Sequence, residues 1–240
     1  MKKLNLVLIG AALALPTLAQ ATIIGSPHDL SQATWNTRKG VCSPCHAAHN
    51  TDPAQLVPLW NHATTTAAFT PYTSPTMQAT SLWTGGRPTG TALACLSCHD
   101  GTVAINNYSG AIQGGTAVYI EPGGQIGPDL HTTHPISIVY NAALATSDGG
   151  LNNPDTYKIG DPVPTAGTTP PVPATWSGTS LTGKTLNQAL LGNNHEVQCS
   201  SCHDVHKDVG SAPSSGIMIK ISGSDTSGRG SLICRNCHLK

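Results

Sequence analysis

The chain has 240 residues, 12 basic and 12 acidic, and charged residues make up only 10% of it, so it does not read as a charged disordered tail. One Phe, five Tyr and four Trp against 25 Gly and 18 Pro leave little with which to build an ordinary aromatic-rich core of helices and sheets. Something other than side chains is expected to supply buried apolar mass.

In chain order, residues 1–21 read as a secretory signal peptide. "MKK" is the basic start, "LNLVLIGAALALPTLA" is an apolar run too short to span comfortably, and "AQA" is a small-residue cleavage site. Cleavage is expected after Ala21, giving an exported, soluble unit, Thr22–Lys240. No cysteine follows the site to carry a lipid anchor, and no later stretch is long and apolar enough for membrane insertion. Losing Lys2 and Lys3 leaves 10 basic and 12 acidic residues, a charge of −2.

Residues 22–41 lead into "CSPCHAAHN", and residues 50–94 are rich in Thr, Pro and Gly. "CLSCHDGTVAI" suggests a short helix giving way to a turn and strand. Residues 106–130 read as loop or hairpin, and the end of "HTTHPISIVY" alternates like a strand. Residues 141–190 form a Pro/Thr/Gly-rich loop region. Its centre, "GDPVPTAGTTPPVPATW", reads as an extended surface loop, and "TLNQALL" as a helical turn or two. After "CSSCHDVHK", the stretch "GIMIKISGSDTSGRGS" reads as a strand and a glycine-rich turn before "CRNCH". The expected fold is mostly irregular coil, with short helices at the cysteine motifs and a few short strands. It is one unit, with motifs one and two in 22–140 and motifs three and four in 191–240.

The eight cysteines fall at 42/45, 95/98, 199/202 and 234/237, all spaced C-x-x-C and all followed by His. A disulfide framework suits an exported chain with an even cysteine count. Two structural zinc sites built from C-x-x-C pairs are a second alternative. Neither accounts for the four histidines, whose chance placement has a probability on the order of 10⁻⁶, whereas C-x-x-C-H is the attachment signature of c-type haem. Cys42, Cys45, Cys95, Cys98, Cys199, Cys202, Cys234 and Cys237 are therefore expected to bind four haems c through thioethers. His46, His99, His203 and His238 are their proximal iron ligands, and the macrocycles form the core. Their propionates make the working protein acidic, which argues against nucleic acid as a partner.

A sixth ligand is expected opposite each proximal His. Only Met77 and Met218 remain after the signal peptide, neither near a motif in sequence, while seven histidines lie outside the motifs. His49 sits three residues after His46, on the same side of that macrocycle, so any iron it binds belongs to another haem. The same holds for His206, three after His203. His134 is stiffened by Pro135, and His28 in "SPHDLS" is as readily a solvated residue as a ligand. His62 in "LWNHA" competes for the same role, and His131 and His195 do not.

The pattern "SPHDLS…CSPCHAAHN…PLWNH…CLSCHDGTVA…HPIS…CSSCHDVH…CRNCH" resembles the extracellular multihaem c-type cytochromes that form nanowire filaments in metal-reducing bacteria, and is closest to the tetrahaem OmcE type. That resemblance implies four bis-His haems with His28, His49, His134 and His206 as distal ligands. It also implies a homopolymer in which a distal His crosses between subunits, with His49 the candidate.

The function expected is electron transfer without catalysis, along an extracellular or cell-surface filament, to other cytochromes, metal oxides, electrodes or partner cells. A monomeric periplasmic tetrahaem shuttle uses the same haems. A multihaem oxyanion reductase would require an open iron position, which abundant spare histidines and four intact motifs disfavour.

Overall fold

The computed structural model describes residues 23–49, 57–79, 83, 85–162, 180–192, 194–206, 218–221 and 231–239. Residues 1–21, expected to be a signal peptide, residues 163–179, expected to be an extended surface loop, and the glycine-rich stretch 222–230 lie outside them.

All four motifs make the same local turn. Helix α1 (Gly90–His99) carries the second motif, built from Ala and Leu, which favour helix, with Leu93 and Leu96 turned inward. Helix α1 ends at Asp100, whose carboxylate accepts the Thr102 N–H at 2.7 Å and the Thr65 hydroxyl proton, a turn-forming use of Asp. In the other three motifs the His N–H donates to the carbonyl of the first Cys: His46 to Cys42 at 2.8 Å, His203 to Cys199 at 2.9 Å and His238 to Cys234 at 2.9 Å. The first motif remains a turn, whereas Cys199–Cys202 and Leu232–Arg235 form single-turn helices (α3 and α4 below).

Strands are short. β1 (Asn107–Tyr108) and β2 (Ala111–Ile112) form the hairpin expected in 106–130. Ser109 and Gly110 both have positive φ (54° and 77°), as a two-residue primed turn requires. β3 (Ile138–Val139) pairs antiparallel with β4 (Glu196–Val197).

The mid-chain segment carries regular structure at both flanks, an unexpected helix at the first and the helical turn expected of "TLNQALL" at the second. Helix α2 (Ala142–Asp148) is capped by Asn141, whose side chain accepts the Leu144 N–H at 2.9 Å, and ends at Gly149 with φ 69°. This follows N-cap and C-cap chemistry. A π-helical turn covers Asn187–Leu191. The helix breakers are concentrated in the centre of the segment, while its flanks carry Ala and Leu. These flanks supply Ala145, Tyr157, Ile159, Leu186, Leu190 and Leu191 to the larger buried cluster, which Ile221, Leu232 and Ile233 complete. A second cluster joins Phe69, Trp83, Leu93, Leu96 and Leu130. Side chains thus make two local cores of their own, mainly from aliphatic residues.

Contacts also cross from the first half of the chain to the third motif. The β3–β4 pairing draws the segment preceding α2 onto the third motif. Across the gap, Thr91 and Ser200 hydroxyls lie 2.6 Å apart, and the Ala92 N–H donates to Gln198 Oε1 at 2.8 Å. Motif two therefore stands against motif three, and α3 (Cys199–Cys202) packs on α1. α4 (Leu232–Arg235) closes the larger cluster. No helix among the described residues is long and apolar enough to cross a membrane.

Leu186 and Ile221 are fully buried. Replacing either by Ala is expected to cost about 2–5 kcal/mol in urea unfolding. Ile24→Ala, at a residue 68% exposed, is expected to stay within about 0.5 kcal/mol.

Candidate imidazole-pair centres

Three histidine pairs carry the site. The rings of His28 and His99 have centroids 6.0 Å apart, those of His46 and His206 6.1 Å, and those of His134 and His238 6.2 Å. Each pair joins one motif histidine to one from outside the motifs, brought from a distant part of the chain. A metal about 2 Å from one nitrogen of each ring would separate the ring centres by about 6 Å. The rings are tilted by 51°, 25° and 76° in the same order.

The second ring nitrogen is tethered in four of these histidines. Nδ1–H of His46 donates to the Pro58 carbonyl at 2.9 Å, that of His99 to Gly124 at 2.6 Å and that of His134 to Pro135 at 2.9 Å. His28 Nδ1–H donates to the Met218 thioether at 3.2 Å. Neither a carbonyl nor a thioether can donate, so the proton sits on Nδ1 and the Nε2 lone pair is left for a metal. Metal-binding histidines use such partners to fix tautomer and ring orientation. Burial, followed by the charges of His99, His203 and His206, lowers the His28 pKa and keeps the ring neutral, which is the ligating form.

The remaining histidines are placed differently. His62 is buried, with Nδ1 on the Ala63 carbonyl at 2.8 Å and Nε2 on the Ala104 carbonyl at 3.1 Å. Its Nε2 also lies 3.4 Å from Cys98 Sγ of the second motif. His131 pairs with Asp129 at 2.7 Å, and His195 contacts Asn187 Nδ2 at 2.8 Å. His49 is exposed and has no ring partner among the described residues. His203 lines the cavity that also holds His28 and His99.

Five of the eight cysteines line two cavities. One cavity of about 350 Å³ lies between motifs two and three, with Cys95, Cys199 and Cys202 in its wall beside apolar Leu96 and Leu130. A second, of about 370 Å³, holds His134, His238, Cys234 and Cys237 against Tyr140 and Leu190. His134, Val197 and Cys202 line both, so the two cavities share a wall. All eight cysteines are free thiols, so the disulfide framework is not formed. Nor do three or more His, Cys, Asp or Glu among the described residues gather as a metal site of the zinc type.

Burial, followed by neighbouring Cys45 and Asp100, pushes Cys98 up to about 12. Burial, followed by Cys202 and Cys234, does the same to Cys237. Cys45 rises to about 11 through burial and Cys42. Such thiols are poor thiolates, whereas neutral thioethers suit the same apolar walls. Three imidazole pairs and two apolar, cysteine-lined cavities are the features that would suit covalently held apolar groups with metal between the rings.

Sequence reasoning missed the Nδ1 acceptors, because backbone carbonyls carry no residue signature. It also gave no sign that Asp100, buried beside His99, would be held by Thr65 and Thr102. Thr65→Val removes one of these donors and is expected to cost about 1–3 kcal/mol in denaturant unfolding, with the imidazole pairs intact.

No protein-family model matches the chain, and no curated protein matches it in sequence.

Proposed function

We propose that the chain is an exported tetrahaem c-type cytochrome that carries electrons and transforms no substrate. The observation that carries this reading is the set of three imidazole pairs at 6.0–6.2 Å, each with one C-x-x-C-H histidine. Bound haem supplies a one-electron ferric/ferrous couple.

The chain's own residues do the rest. The eight cysteines would anchor the groups, the three histidine pairs would hold metal at three of them, and the Nδ1 tethers hold the rings in place. The shared wall between the two cavities keeps successive centres close, and apolar linings exclude water. An oxyanion reductase needs an open iron position, and the three imidazole pairs would not offer one.

His49 is the one proposed distal ligand without a ring partner among the described residues, and it is exposed. This supports its reaching the iron of a second copy, as in a homopolymeric extracellular filament that delivers electrons to other cytochromes, minerals or electrodes. Three pairs made within one chain are equally compatible with a monomeric periplasmic shuttle, which is the second reading.

Electron microscopy of haem-loaded protein from its exporting host separates them. The filament reading predicts uniform filaments, lost in His49→Ala while four haems are retained. Dispersed particles near the 24.7 kDa chain mass would leave the shuttle. Protein without covalent haem would contradict both.

A further inference from the structure

Met218 stands out at the His28/His99 pair. The histidines His46, His99 and His134 all give their Nδ1 proton to a backbone carbonyl, at 2.9, 2.6 and 2.9 Å. His28 alone gives it to sulfur, at 3.2 Å from Met218 Sδ. Met218 is only 4% exposed and has φ 47°, a left-handed conformation that a non-glycine residue keeps only when its surroundings enforce it.

Two backbone bonds enforce it here. The Met218 carbonyl accepts the Asp204 N–H at 2.8 Å, and the Lys220 N–H donates to the Cys202 carbonyl at 2.8 Å. Both partners flank His203. The thioether that touches the second motif's distal histidine is therefore positioned by the third motif.

Carbonyl acceptors draw on the Nδ1 proton and make the imidazole a more basic ligand, which favours oxidised iron. A thioether is a weak acceptor and leaves His28 a less electron-rich ligand. We propose that Met218 is a positioning residue that raises the reduction potential of the His28/His99 centre above the value it would have with a carbonyl acceptor on His28. The inference rests on the haem reading above and deepens it.

The test is a potentiometric titration of the haem-loaded protein followed by electron paramagnetic resonance. The ring angle identifies the centre. Parallel imidazole planes split the iron π orbitals and perpendicular planes equalise them, so the 51° pair is distinguishable from those at 25° and 76°. Met218→Gln offers a carbonyl of similar reach and is expected to lower that one potential. The shift should correspond to a roughly tenfold change in oxidised-to-reduced ratio, about 59 mV for one electron, with the other centres unchanged. Met218→Leu keeps the apolar bulk without an acceptor and is expected to leave the potential in place or raise it.

If both variants match wild type, shift it in the same direction or lose that centre, the role of Met218 is overturned while the haem reading stands. If wild-type protein shows no low-spin bis-imidazole signal, the haem reading fails and this inference with it.

Discussion

The structure depends on imidazoles meeting across long stretches of chain. His28 meets His99, His46 meets His206 and His134 meets His238, and each meeting closes a loop that has little regular secondary structure of its own. Loop closure costs entropy that grows only slowly with length. A strong bond at the closing point, such as a shared metal would provide, can therefore organise an irregular chain where sheet ladders and long helices do not.

An irregular chain must still satisfy its backbone polar groups when it buries them. Here buried asparagines do much of that work. Asn36 donates to the Leu30 and Gly40 carbonyls at 3.0 and 2.9 Å, and Asn106 to Gln113 and Thr116 at 2.5 and 2.7 Å. Asn152 reaches the Asn236 carbonyl at 2.8 Å, and Asn236 reaches that of Leu232 at 2.8 Å. A side-chain amide carries donors and an acceptor in one plane, so a single asparagine can stand in for a missing neighbouring strand. Glycine serves a different need at Gly114, which has φ 73° and where a Cβ would come within 2.9 Å of Trp35.

What was legible in the sequence is what lies within one turn. The C-x-x-C-H units and the hairpin near Asn107–Ile112 are set by local chemistry, and so is the rule that His49 and His206 cannot serve their own motifs. The choice of tertiary partners was not legible. His62 in "LWNHA" competed as a ligand by residue type alone, and only the fold shows its nitrogens near the Ala63 and Ala104 carbonyls and Cys98 Sγ. Met218 looked remote because its approach to His28 spans 190 positions. Helix α2 was hidden by the overall composition of 141–190, where Pro and Thr outweigh the Ala and Leu that form it, whereas the turn at Asn187–Leu191 was legible in "TLNQALL".

The central claim is that the paired imidazoles hold iron. The most direct measurement is an experimental structure of the haem-loaded protein with iron located by anomalous scattering at its absorption edge. The account predicts one iron between His28 and His99, one between His46 and His206 and one between His134 and His238. Iron held by cysteine sulfur, or by His62 in place of any of these six, would contradict it.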